Sequence, residues 1–233
     1  MKRFWDFAAV AETQHGFAVQ LDGKPVRLPG GGSLAVEAGP LAEALAAEWQ
    51  QAGGEKGGEL TWDDVPMTRL VGTALERIAP DPEPTVAAIA NYAGTDLLCY
   101  RAAEPDLALK QARLWQPWLD WAACELAAPL AVTEGLMPIR QPTASLLAIE
   151  RAIAAQPPII LSALGVLVPG LSSAVLGLAV VNAALPIDEA HRLAILDELH
   201  QEEFWGLEWE AEQRRERVAA DLAMAARMAA LAR

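Results

Sequence analysis

The alternation of apolar and polar positions predicts strands at the start of the chain and helices almost everywhere after. Phe7–Glu12 is a short apolar run. Gly16–Leu21 alternates, with Phe17, Val19 and Leu21 on one face. Asp22-Gly23 is a hairpin turn signal, and Lys24–Leu28 reads as the return strand, with Val26 and Leu28 keeping the alternation. Pro25 confines that strand to an edge or to its own start. Ser33–Val36 reads as one more short strand. After Gly39-Pro40 the period lengthens to that of a helix over Leu41–Gln51, with Leu41, Leu45 and Trp49 along one side. Glycines at 53, 54, 57 and 58 end it. A second helix is expected over Met67–Ile78, with Leu70, Val71, Ala74, Leu75 and Ile78 inward and Thr68-Arg69 near its start.

The run PDPEP from Pro80 to Pro84 reads as a linker. It divides the chain into an N-terminal, hairpin-rich domain of residues 1–80 and a helical C-terminal domain of residues 81–233, an α+β fold. Beyond the linker, Thr85–Ala93 is a short helix, and Thr95–Arg101 fits either helix or strand. Leu107–Leu126 is a helix bent or broken at Pro117, with Trp115, Trp118 and Trp121 as a packing stripe. A short strand is expected at Leu130–Thr133 and a helix at Ser145–Ala155. No charged side chain occurs from Ala152 to Ile187, a run long enough to span a bilayer. Pro157-Pro158, Pro169-Gly170 and Pro186 interrupt it, so it reads as two core helices, Ile159–Val168 and Ser173–Leu185.

The last stretch, Asp188–Arg217, reads as one long charged helix. Leu193, Leu196, Phe204, Leu207 and Ala211 fall on one stripe that faces a core. The other side is unusual, because Trp205 and Trp209 sit one turn apart and share their sector with Glu198 and Glu202. Large rings among carboxylates suit a partner-binding strip, although burial on both sides would also explain them. Gly206 costs about 1 kcal/mol inside a helix relative to Ala, which signals a bend or a close approach.

Over half of the 233 residues are hydrophobic (53%), which supports a substantial core. The formal net charge of −13 argues against nucleic acid and anionic membrane surfaces as partners. Cys99 and Cys124 are read as reduced and buried. The first seventeen residues lack the clean apolar run of a signal peptide and the Arg/Ser richness of a transit peptide, so a bacterial cytoplasmic location is expected.

Catalytic signatures are lacking. Asp188/His191 and Asp197/His200 have the spacing of carboxylate-histidine metal ligands. On one helix the two pairs point in opposite directions, so they read as surface polar residues, and no metal or cofactor is expected. The sequence has no H-E-x-x-H, paired C-x-x-C or G-x-S-x-G. The glycines after Pro29 lack the context of a phosphate-binding loop. Glu208 with Arg214 or Arg215, and Glu212 with Arg217, read as helix ion pairs. Asp96 and Arg101 are expected to pair and to fix the joint between the two halves. Trp49, Arg69, Asp96 and Arg101 are therefore assigned structural roles, with Trp49 in the core.

Several segments, in order and spacing, carry a family resemblance: RFW at Arg3–Trp5, GFAVQLDGKPVRLP at Gly16–Pro29, LAEALAAEWQ at Leu41–Gln50, PMTRL at Pro66–Leu70, YAGTDLLCYRA at Tyr92–Ala102, WQPWLDWA at Trp115–Ala122 and LDELHQEEFWG at Leu196–Gly206. Across nearly its whole length the chain resembles the assembly chaperones of the F-type ATP synthase that act on the alpha subunit of the catalytic head. The resemblance implies a non-enzymatic protein that binds unassembled alpha subunit, prevents its aggregation and yields it to the beta subunit; a chaperone that covers a subunit surface is expected to be a monomer. The family places an acidic pair after Trp-Gly, where this chain has Leu207-Glu208-Trp209-Glu210. The expected client contacts are Glu198, Glu202, Trp205, Glu208, Trp209 and Glu210. The competing reading is an enzyme using paired carboxylates in a cleft between the domains.

Overall fold

The computed structural model describes every residue except Leu136, Leu207 and Glu208, and describes Trp205 by its backbone alone. The chain forms two compact units. Unit one is Met1–Asp81 with Pro158–Ala163 and Arg227–Arg233; unit two is Pro82–Pro157 with Leu164–Ala226. An N-terminal antiparallel sheet with helices followed by mostly helical structure makes the fold α+β.

Unit one is built on the hairpin of β1 (Ala8–Thr13) and β2 (Gly16–Leu21), antiparallel from Ala8↔Leu21 to Thr13↔Gly16. Asp22 and Gly23 turn the chain with φ of 48° and 78°, the doubly left-handed geometry that favours glycine in tight hairpins. The Asp22 carboxylate accepts from the backbone N–H groups of Asp6 (3.1 Å) and Phe7 (2.9 Å). The Phe7 bond holds its pKa below the usual range. The return strand β3 (Lys24–Pro25) is much shorter than the expected five residues, and β4 (Ala35–Val36) pairs with the other end of β2. Past Pro25 the Val26 N–H still donates to the Val19 carbonyl (2.9 Å), while the Val26 carbonyl accepts from the Leu34 N–H (2.9 Å), so the chain leaves a regular β2 ladder there.

Helix α1 (Gly39–Gln51) buries Leu41, Leu45 and Trp49 against this sheet. The Trp49 indole donates to Thr68 Oγ1 (3.0 Å), and the Trp5 indole donates to the Trp49 carbonyl (3.2 Å). Glu48 reaches from α1 to cap α2 (Pro66–Thr73), accepting from the N–H groups of Met67 (2.7 Å) and Thr68 (2.9 Å). A carboxylate there meets both the unpaired donors and the positive end of the helix dipole. A π-helical turn, Ala74–Ile78, continues α2. Arg69 is exposed and paired with Asp63.

Unit two opens with α3 (Glu83–Ala90) and two 3-10 turns, Asn91–Thr95 and Leu97–Cys99. The segment that fitted either helix or strand supplies both, because β5 (Tyr100–Arg101) follows and runs parallel to β6 (Thr133–Glu134). Helix α4 (Pro105–Glu125) continues through Pro117 without the break that was one of the two expected outcomes. Pro117 is exposed, so water can reach the carbonyl it leaves without a donor. Trp115 is buried, while Trp118 and Trp121 are half-buried with ring centroids 6.5 Å apart. A three-residue step turns 60° around a helix, so the three rings do not share one face.

Next come α5 (Thr143–Ala154), α6 (Pro158–Leu171) and α7 (Ala174–Val181). Every residue of α7 is buried, which accounts for its lack of charge. Among the described residues no helix is long and apolar enough to cross a membrane. Ser173 caps α7, its hydroxyl accepting from the Leu176 N–H (3.0 Å). Both cysteines are free; Cys99 is buried, with its thiol pushed up to about 12 by burial, but Cys124 is exposed rather than buried.

The expected single helix over Asp188–Arg217 is instead three: α8 (Ile187–Ala194), α9 (Leu196–Trp205) and α10 (Trp209–Leu231). At the first break the buried Trp115 indole donates to the Leu193 carbonyl (3.0 Å), inserting a side chain into the helical ladder. At the second, Gly206 takes φ 81° and ψ 170°, a backbone state essentially limited to glycine.

Candidate partner-binding site

The turn at Gly206 brings the C-terminal half of α9 against the first turns of α10. On that side the Arg215 guanidinium lies 2.5 Å from Glu202 Oε1 and 3.5 Å from Glu198 Oε2. Arg214 also approaches Glu198, at 3.5 Å. Glu198 and Glu202 are one turn apart on α9, so one guanidinium reaches both. Among the described residues these arginines pair with α9. Of the expected helix pairs, Glu212 makes none with Arg217, and Glu208 lies outside the described residues.

Large apolar groups flank the turn. Phe204 is 69% exposed and Trp209 is 66% exposed. Phe204 was expected on the core stripe. The break at Ile195 shifts the helical register, so Leu193 and Leu196 are buried while Phe204 faces outward. Glu210 is exposed beside Trp209. The Trp205 side chain, Leu207 and Glu208 lie outside the described residues.

Behind Phe204 is a polar cluster. Its ring meets His200 edge-on, with centroids 5.2 Å apart. His200 was read as a surface residue but is buried. Its Nε2 is 3.2 Å from Glu104 Oε2, and its Nδ1 is 3.1 Å from Lys110 Nζ. With Nε2–H donating to the carboxylate, Nδ1 is left to accept from the ammonium. Lys110 also donates to Glu203 (2.7 Å), which holds the Glu203 pKa below its ordinary range. Glu104 caps α4, and its bond from the Leu107 N–H (2.6 Å) is the main cause of its lowered pKa. Asp197, three residues before His200, accepts from Gln111 Nε2 (2.7 Å). Among the described residues no group of three or more His, Cys, Asp or Glu is placed to hold a metal ion.

Asp96 and Arg101 do not pair with each other. The Asp96 carboxylate is buried and accepts from the N–H groups of Leu98 (3.1 Å) and Val175 (3.1 Å), fastening a 3-10 turn to the start of α7. Arg101 donates to the Leu98 carbonyl (2.5 Å) and lies over the Trp115 ring, 5.4 Å from its centroid. Both residues act within unit two.

The α9–α10 surface therefore offers exposed rings and carboxylates, with part of its acidity neutralised by Arg214 and Arg215. That composition suits contact with another protein.

Comparison with known proteins gives the same class. The family model described as ATP12 chaperone protein matches residues 2–123. The chain is similar to the crystal structure of Atp12 from Paracoccus denitrificans, with 37% identity and a TM-score of 0.92, covering 100% of this chain and 98% of that one. An aspartate-to-lysine mutant of the Paracoccus denitrificans protein is similar at 37% identity and a TM-score of 0.93, with the same coverage. A candidate chaperone from Agrobacterium tumefaciens is similar at 34% identity and a TM-score of 0.91, covering 100% of this chain and 86% of that one. The chain belongs to the ATP12 chaperone family, and its role is that of a chaperone.

Proposed function

We propose that the client is the unassembled alpha subunit of the ATP synthase catalytic head, held until the beta subunit takes its place. The protein works as a monomer and makes or breaks no covalent bond in its client. One observation carries this reading. Phe204 and Trp209 stand exposed on either side of the Gly206 turn, in a surface that also carries carboxylates and arginines. Exposed rings with a polar rim can cover an apolar subunit surface while charge selects the partner. Glu198 and Glu202 contribute through the charge they retain beside Arg215, and Glu210 adds to the rim.

The test mixes the purified protein with isolated alpha subunit. A one-to-one complex that beta subunit displaces is the expected result. Replacing Phe204 and Trp209 together by serine should abolish capture, with circular dichroism unchanged. A folded double variant that captures alpha subunit normally would remove this surface from the account.

A further inference from the structure

Unit one carries a second feature, opposite in charge to the chain as a whole. A groove of about 390 Å³ opens between the N-terminal residues and the β2–β3 hairpin. Its floor is Trp5, Leu21, Val26, Trp49 and Leu60, all buried. Phe4, 60% exposed, and Pro25 form apolar walls. The charged residues of its lining are Lys2, Lys24 and Arg27, with no carboxylate among them. Among the described residues the Lys2 and Lys24 ammonium groups have no hydrogen-bond or ion-pair partner, and Arg27 donates only to the Gly31 carbonyl (3.2 Å). In a chain of net charge −13, three cations gathered around one apolar depression are not the product of a generally basic surface.

We propose that this groove docks a short extended peptide segment, with a large apolar side chain seated against Phe4 and flanking carboxylates on Lys2, Lys24 and Arg27. Charge complementarity selects an acidic segment. The closed floor suits one or two side chains rather than a long acyl chain. Three separated cations suit carboxylates distributed along a backbone rather than a single headgroup. Pro25 on the edge strand offers no N–H, so recognition falls to side chains instead of an added strand.

An aromatic ladder supplies the readout. The Phe4 ring meets Trp5 edge-on at 5.2 Å, and Trp5 meets Trp49 at 5.3 Å. A side chain seated on Phe4 therefore perturbs the Trp5 indole N–H. The experiment titrates the full chain with the acetylated, amidated pentapeptide DLEFD and follows the Trp5 and Trp49 indole resonances in proton–nitrogen correlation spectra. A saturable Trp5 shift is expected, at least tenfold weaker for the Lys24→Glu/Arg27→Glu variant and for Phe4→Ala, weaker in high salt, and missing with the pentapeptide KLKFK. The Phe4 variant and the salt series stand if the charge variant fails to fold. No shift with DLEFD, an equal response to KLKFK, or unchanged affinity in both variants overturns the proposal. Dodecanoate acting at lower concentration than the peptide overturns it in favour of an acyl ligand. A dimer in sedimentation that Lys24→Glu/Arg27→Glu dissolves overturns it in favour of a second copy of the chain.

Discussion

Arg215 of α10 sets its guanidinium 2.5 Å from the Glu202 carboxylate of α9, with side chains only 11% and 21% exposed. Charge buried to that degree is costly to leave alone. Glu202→Gln keeps the shape but removes the anion, leaving Arg215 with the more distant Glu198. A loss of about 1–3 kcal/mol is expected in urea unfolding. Adding Arg215→Met should cost less than the sum of the two single changes, since both partners are then gone. Additive losses would mean that the pair is not coupled.

Trp209 should behave in the opposite way. Its side chain is 66% exposed, so Trp209→Ala should leave stability within about 0.5 kcal/mol of the parent. Capture of alpha subunit should nevertheless weaken at least tenfold in a pull-down titration. A variant that loses stability and keeps capture would assign Trp209 to the fold.

Gly206 marks where sequence reading meets its limit. Its helix-breaking character was legible, and so was the Asp22-Gly23 hairpin, because both depend on local backbone geometry. The chargeless helices were legible because a segment buried on most sides can carry no charge. The break at Ile195 was not, because its cause is Trp115, some eighty residues earlier, whose indole takes the Leu193 carbonyl. Once that break shifts the register, a periodicity carried across it places Phe204 on the wrong side. His200 was misread for a similar reason, since its partners Glu104 and Lys110 come from α4. Neighbouring charges were equally misleading: Asp96 and Arg101 are five positions apart yet bond to different backbone groups. Helical spacing paired Arg214 and Arg215 with Glu208, but the fold at Gly206 also brings both of them to Glu198 on α9.

Gly206→Ala forces a side chain into φ 81°, ψ 170°. Among the described residues beyond its chain neighbours, nothing lies within 4 Å of the added methyl, so the penalty comes from backbone strain. A loss of about 1–3 kcal/mol is expected, or a displaced α9–α10 turn with weaker client capture. Unchanged stability together with unchanged capture would show that the turn does not depend on this geometry.

Asp96 predicts a pH dependence. Burial raises its pKa from 3.8 to about 6, against the opposing pull of its backbone N–H donors, of which Val175 is the strongest. Below the unfolded value both folded and unfolded chains hold the proton, and Asp96 adds no pH dependence. Between about 4 and 6 the folded chain holds more protons than the unfolded one, so this residue's contribution falls as pH rises. Above 6 the burial penalty on the carboxylate is complete, at most about 3 kcal/mol. Asp96→Asn removes the titration while turning an amide donor toward backbone N–H groups, so it should be less stable than the parent throughout. The difference between the two proteins should be largest near pH 4 and narrow toward pH 7, as the parent acquires its buried charge. Urea midpoints across that range decide the matter, and a gap that is constant or widens with pH would show that burial does not raise the Asp96 pKa.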